Sequence, residues 1–199
     1  MIKPIFLTDL DDVMCTGGYL YLLNKFLSSN YKEEDFKNEY YLEEVLNDEL
    51  ERTEIRRYWI TENVYNYSHI IDGAYSTLLE LSDFFEIYVC SSTHLPKVEP
   101  NLLSRIYSQK FEYILENFPF ILPQNIIFSC DKGIFNERVF IQLDDKIENL
   151  NNSAHNKFLF YSYHNGSLFS DISIYPDIKR CYNWEDVKEF SIERLKTLR

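Results

Sequence analysis

The chain has 199 residues, of which 45% are hydrophobic and 26% charged, an ordinary globular balance that excludes a collagen-like or mostly disordered protein. At roughly 150 residues per domain, that length is about one domain, or one domain with an insert. The 20 Lys and Arg against 32 Asp and Glu leave a net charge of −12. This speaks against binding a nucleic acid polymer through its phosphates, and an anionic small molecule would need a metal ion or a few placed cations to draw it in.

The opening run Pro4-Ile5-Phe6-Leu7 is short and apolar and meets Asp9 almost at once. It reads as a buried strand, since it is too short for a signal peptide or a membrane span. Residues 17–68 are helical in character and hold no convincing strand run. Their acid-dense part, residues 33–57, includes Glu33-Glu34-Asp35, Glu43-Glu44 and Asp48-Glu49. The segment reads as a helical insert after the first strand, a cap over the carboxyl end of a sheet, with most of its charges forming the wet face of surface helices.

A helix over 74–85 follows Asp72-Gly73, and Glu86-Ile87-Tyr88-Val89-Cys90 is the second strand run. Residues 93–101 contain Pro96 and Pro100 and read as a loop. A helix over 102–118 comes next. Then follow the runs Asn125-Ile126-Ile127-Phe128, Arg138-Val139-Phe140-Ile141-Gln142-Leu143 and Lys157-Phe158-Leu159-Phe160-Tyr161. A last helix over 184–198 has Asn183 as N-cap and Glu185-Asp186 in its first turn. Short apolar strands alternating with helices predict an α/β fold, a doubly wound parallel sheet built from residues 1–16 and 69–199, with the small helical cap at 17–68. The cysteines Cys15, Cys90, Cys130 and Cys181 are scattered without C-x-x-C spacing, which argues against a zinc site or a disulfide framework. The expectation is a soluble cytoplasmic protein with no membrane partner. Its 16 Tyr and 15 Phe supply an aromatic core and rings to spare for a flat ligand.

In an open parallel sheet, ligands bind beyond the carboxyl ends of the strands. The first run ends in Thr8-Asp9-Leu10-Asp11-Asp12, carboxylates that repel one another unless a cation sits among them; hard oxygen ligands suit Mg²⁺. The second ends in Ser91-Ser92-Thr93, whose hydroxyls and free N–H groups can hold a phosphate. The third leads to Asp131-Lys132, and the fourth ends in Asp144-Asp145-Lys146. Taken alone, each is an ordinary acidic loop, polar turn or solvated lysine. Taken together, each follows a separate strand and all converge on one sheet edge.

This series resembles the haloacid dehalogenase superfamily of phosphotransferases, which carries four such motifs in this order. The resemblance implies that Asp9 is a nucleophile forming an aspartyl-phosphate and that Asp11 is the acid/base, binding Mg²⁺ through its main-chain carbonyl. It further implies that Ser91 and Ser92 hold the phosphoryl group with Lys132, and that Asp144 and Asp145 are metal carboxylates. Over most of its length the chain also resembles the 5′(3′)-deoxyribonucleotidases. Tyr58-Trp59 through Gly73-Ala74, the helix around Lys110-Phe111, and Tyr163-His164-Asn165 ahead of Asn183-Trp184 match that family. The His-Asn tail has no catalytic part there. This likeness implies a Mg²⁺-dependent phosphomonoesterase acting on nucleoside monophosphates as small-molecule substrate, often as a homodimer. Trp59, Tyr40 and Tyr41 would face the base, and Lys110 and Lys146 would lie near the phosphate.

Two departures stand out. The family often has Gly where this chain has Asp12. The segment Cys15-Thr16-Gly17-Gly18 is also shortened by an acidic and an aromatic residue, and that aromatic is one the family uses against the base. The rival readings are a phosphatase for another small phosphomonoester, a catalytically silent binding protein of the same fold, and a phosphorylatable receiver domain. The receiver has its acidic pair at the first strand and its acceptor at the third, unlike the order here.

Overall fold

A computed structural model describes residues 2–37, 39–150, 154–170 and 175–197. Its centre is a six-stranded sheet. In chain order the strands are β1 (Ile5–Thr8), β4 (Glu86–Ser91), β5 (Ile126–Phe128), β6 (Val139–Asp144), β7 (Asn156–Phe160) and β8 (Ile178–Cys181). They lie side by side as β5-β4-β1-β6-β7-β8, every pair parallel. The order runs outward in both directions from β1, so the doubly wound sheet expected from the sequence is present. Strand β6 is buried along its whole length, and β1 and β4 nearly so, as strands covered on both faces must be. The sixth strand, β8, was not expected. Its Ile178-Lys179-Arg180-Cys181 is an edge strand with polar residues in the middle, and it lacks the apolar run of a central strand.

The helices are α1 (Gly18–Leu27), α2 (Glu49–Thr61), α3 (Ala74–Leu81), α4 (Pro100–Asn117), α5 (Gly166–Ser170) and α6 (Trp184–Lys196). Pro100 opens α4 rather than ending the preceding loop, since its missing N–H costs nothing in a first turn. The Asn183 side chain caps α6 by accepting from Asp186 N at 3.0 Å. Trp184 is buried and ties α6 to the first loop, its Nε1 donating to Val13 O at 3.0 Å.

Residues 17–68 leave and rejoin the sheet through a two-stranded antiparallel ribbon, β2 (Cys15–Thr16) against β3 (His69–Ile70). Between them lie α1, α2 and single 3-10 turns at Glu33–Phe36, Leu42–Val45 and Val64–Asn66. The crossing is tight enough to demand glycine. Gly17 has φ 90°, and a Cβ there would lie 2.8 Å from His69 Cε1; one on Gly18 would lie 2.4 Å from Val64 O. Most acidic side chains of the segment are exposed, as expected. Glu43 is the exception: it is buried and paired with the equally buried Arg56 at 2.8 Å. Among the described residues, no helix is long and apolar enough to cross a membrane.

Candidate active site

Strand register assembles the site. Thr8 pairs with Leu143 of β6 and with Val89 of β4, so the residues just beyond these strands meet above the sheet edge. Asp9 N donates to Leu143 O at 3.0 Å, which continues the ladder and sets Asp9 beside Asp144. Asp9 Oδ1 accepts from Leu10 N at 2.8 Å, and Oδ2 lies 2.9 Å from Lys132 Nζ. Lys132 also reaches Asp144 Oδ2 at 2.5 Å. All three side chains are buried. Burial pushes the Asp9 carboxyl up to about 6; Lys132 pulls it down, while Asp144 and Asp11 add to the rise. Burial works against the charge on Lys132, but Asp144 and Asp9 outweigh it and hold the ammonium above the usual lysine range.

The two motif aspartates at the end of β6 differ in their partners. Both oxygens of Asp144 are engaged, Oδ2 by Lys132 and Oδ1 by Lys146 N at 3.0 Å and Asn149 Nδ2 at 2.9 Å. Asp145 Oδ2 lies 2.6 Å from His164 Nε2, while its Oδ1 is buried without a hydrogen-bond partner. An orphaned buried carboxylate oxygen is costly unless a cation completes it. Asp9, Asp144 and Asp145 bring carboxylate oxygens within 4.8 Å of one another, as do Asp12 and Asp145 with a nitrogen of His164. The all-oxygen triplet matches what a hard divalent cation requires. Burial and the nearby Asp144 and Asp9 push Asp145 upward, and burial pushes His164 below the usual histidine range.

Asp11 stands on the other flank. Its Oδ2 is 2.6 Å from Lys110 Nζ and 3.4 Å from Ser91 Oγ, and its Oδ1 accepts from the Tyr65 hydroxyl at 2.7 Å. Lys110 is buried and donates also to Ser91 Oγ at 2.8 Å and to Ser92 O. The Ser92 hydroxyl points elsewhere, accepting from His94 N and lying 3.3 Å from Cys130 Sγ. Asp12 occupies a left-handed backbone position, φ 56°, that few residues with a side chain adopt. Burial first, then Asp145, pushes its carboxyl up to about 7, although Thr16 Oγ1 donates to it at 2.6 Å.

Above this edge is a cavity of about 290 Å³. Asp11, Asp12, Ser92 and Lys110 line one side, and Tyr19, Tyr40, Tyr41, Trp59 and Tyr163 supply rings. Trp59 is buried, donates Nε1 to the Tyr19 carbonyl at 3.1 Å and meets the Tyr19 ring edge-on at 5.1 Å. It is therefore a packed residue with one surface on the cavity. Tyr40 and Tyr41 are partly exposed. Lys146 Nζ sits 4.1 Å from the centre of the Tyr40 ring, a cation–π contact, and Tyr40 meets His164 edge-on at 4.9 Å. Asp9 does not line the cavity, since its oxygens are covered by Lys132 and by the chain that follows it.

All twelve residues singled out in the sequence gather at this end of the sheet. Asp12, noted in the sequence as a carboxylate where the family often has Gly, and His164, noted only as part of the closing segment, join them, and Tyr65 was not singled out. The His-Asn pair of the tail packs against the site: His164 Nε2 meets Asp145 Oδ2, and Asn165 Nδ2 donates to the Asp145 main-chain oxygen at 2.8 Å. Nothing local in the sequence marks Tyr65, one tyrosine among many.

Comparisons with known proteins give the chain's family and fold. The profile of the family described as 5′ nucleotidase, deoxy (Pyrimidine), cytosolic type C protein matches residues 3–197. A 5′(3′)-deoxyribonucleotidase of Clostridium acetobutylicum is 39% identical over 94 residues, 47% of this chain and 46% of that protein, so the match spans about half the length of that relative. A 5′(3′)-deoxyribonucleotidase of Bacillus subtilis is 28% identical over 144 residues, 68% of this chain and 74% of that one. Among solved structures, a haloacid dehalogenase-like hydrolase of Streptococcus pneumoniae superposes with a TM-score of 0.58 at 13% identity, covering 95% of this chain and 98% of its own. At that identity the likeness speaks for the fold alone.

Proposed function

The chain belongs to the family of 5′ nucleotidase, deoxy (pyrimidine), cytosolic type C proteins, and from that premise we propose that it is a Mg²⁺-dependent phosphomonoesterase of deoxynucleoside monophosphates, working through an aspartyl-phosphate on Asp9. The observation that carries the proposal is the end of β1 and β6: Lys132 bridges Asp9 and Asp144, and Asp145 Oδ1 is left buried and unsatisfied beside them. Asp9, the Asp11 carbonyl and Asp145 would hold the cation, and Asp144 would orient its surroundings. When bound, Mg²⁺ supplies positive charge that lets a carboxylate approach a phosphoryl dianion.

In this reading an Asp9 carboxylate oxygen attacks phosphorus, splitting one slow hydrolysis into two faster steps. Asp11 gives a proton to the departing nucleoside oxygen and then takes one from the attacking water. Ser91 and Lys110 bind the phosphoryl oxygens; an arriving dianion competes with Asp11 for the Lys110 ammonium. Lys132 keeps Asp9 ionised at neutral pH against the burial that raises its pKa. Residues 17–68 serve as the cap, with Tyr40, Tyr41 and Trp59 around the base. The net charge of −12 fits a small substrate met by a few enclosed cations rather than a polymer. The test is phosphate release from deoxy- and ribonucleoside 5′- and 3′-monophosphates and from sugar phosphates, with Mg²⁺ and with EDTA. Metal-dependent release that favours deoxynucleotides is expected. Release only from non-nucleotide esters would overturn the substrate, and no release from any ester would overturn the activity.

A further inference from the structure

We propose that Glu43 reads the base of the substrate, its open carboxylate oxygen selecting guanine, the base with two adjacent donors. The inference rests on the reading of the site as one for nucleoside monophosphates given above. Glu43 lies in the 3-10 turn Leu42–Val45 of the helical segment, two residues after Tyr41. It lines the cavity together with Tyr40, Tyr41 and Trp59. Glu33, the other carboxylate that this segment brings to the cavity, is exposed, whereas Glu43 is only 3% exposed. Glu43 Oε1 accepts from Arg56 Nε at 2.8 Å, and among the described residues no donor reaches Oε2. Arg56 is buried and does not line the cavity. Its Nη1 donates to Glu49 Oε1 at 3.0 Å and to Pro96 O at 3.3 Å, which fixes the guanidinium between α2 and the loop before α4. A buried ion pair adds little net stability over apolar residues of the same size, so stability does not explain a carboxylate on this wall. What the pair supplies is an ionised acceptor, set in place before a ligand arrives, with one oxygen left to fill.

An ionised carboxylate only accepts hydrogen bonds. It therefore favours a base edge that offers donors and repels one that offers lone pairs. Guanine places N1–H and the N2 amino group side by side, and a single acceptor can meet both. In the other bases every such donor has an acceptor beside it. Cytosine sets N3 next to its N4 amino group, adenine sets N1 next to its N6 amino group, and thymine flanks N3–H with O2 and O4. An anion facing one of those edges meets a lone pair along with the hydrogen. Aromatic rings stack on any base, since every base has a π face, so Tyr40, Tyr41 and Trp59 would hold the base without choosing it. The choice falls to Glu43, because a buried polar group left unpaired by the wrong ligand is costly. The family's description names pyrimidines, and a preference for guanine would set this chain apart within it.

The experiment measures kcat/KM with Mg²⁺ for deoxyguanosine and deoxyinosine 5′-monophosphates, which differ only in the N2 amino group, and for thymidine 5′-monophosphate. We expect the wild type to favour the guanine nucleotide over the hypoxanthine one by about 10–100-fold, the range for a hydrogen bond to a charged group. Thymidine 5′-monophosphate should also be slower than the guanine nucleotide. In Glu43→Gln the amide oxygen keeps the Arg56 contact and an N–H replaces the open acceptor. The guanine-to-hypoxanthine ratio should then fall below about threefold. That ratio is taken within one protein, so a general loss of activity does not alter it. Glu43→Asp keeps the charge but withdraws it by one methylene. It should give an intermediate ratio, and it carries the test if Glu43→Gln does not fold. A wild-type ratio near one, or a wild-type ratio retained in the variants, would overturn the base assignment while leaving the activity standing. A wild type that releases phosphate from no nucleotide would overturn the nucleotidase reading, and the role of Glu43 with it.

Discussion

The sheet edge and the helical segment above it are built on opposite terms. At the sheet edge, Asp9, Asp144 and Asp145 lie at the ends of the adjacent parallel strands β1 and β6, Lys132 reaches them from the 3-10 segment that follows β5, and all four are buried and engage almost every polar atom. Register holds them, and register cannot slip without turning the strands inside out. Across the cavity, Tyr40 and Tyr41 are partly exposed rings in an irregular stretch, and the charges around them are mostly solvated. Under the proposed function, the chemistry that tolerates little displacement would be fixed to the strands, and selection among ligands left to surfaces that can vary.

Perturbing each side should therefore give different signatures. The largest effect is expected from Asp9→Asn, which should lower kcat by at least about 10³-fold, as loss of a covalent nucleophile does, with the far-UV circular dichroism unchanged. Lys132→Met strikes the same edge through its electrostatics. It leaves Asp9 and Asp144 buried without their shared cation, and denaturant unfolding should show a loss of about 3–5 kcal/mol. If that variant unfolds at the wild-type midpoint, the edge is not held as described. On the other side, Tyr40→Ala should raise KM by about 5–150-fold with little change in kcat, the equivalent of about 1–3 kcal/mol of base stacking. A loss in kcat without a change in KM would move Tyr40 from ligand selection to the chemistry.

The smallest effect concerns pH. Asp9 and Asp12 have folded pKa values of about 6 and about 7, raised from 3.8. Between those limits the folded state binds more protons than the unfolded one. The stability these two groups contribute is thus complete below about pH 4 and is lost as pH rises through 6 and 7. His164, lowered by burial, acts in the opposite sense over part of the range. In EDTA the melting temperature should fall by a few degrees between pH 5 and pH 7.5, on the order expected for a protein of this size. Added Mg²⁺ should recover that loss at pH 7.5. A melting temperature that rises over this range would mean that the carboxylates are not the dominant groups.

How much could be read in advance follows the same division. Five strands announced themselves because buried parallel strands are short apolar runs, and their ends carried Asp9, Ser91, Lys132 and Asp144 into view. Strand β8 escaped because an edge strand has one side to solvent and tolerates Lys179 and Arg180. The ribbon of β2 and β3 is two residues on each side, too short for any period to show. Within the site, Lys110 was legible only through family likeness: it is a buried lysine in mid-helix, and nothing local reveals that it reaches Asp11. Tyr65 and His164 reach the site through contacts spanning 54 and 19 residues of sequence, which only the tertiary fold creates.

The central claim is that Asp9 carries the phosphoryl group. The direct measurement is rapid acid quenching during turnover of a deoxynucleoside monophosphate with Mg²⁺, followed by peptide mapping for acyl phosphate. The account predicts phosphate on the peptide containing Asp9, and none in Asp9→Asn. Turnover with no phosphorylated enzyme at any quench time, or with the phosphate on another residue, would contradict it.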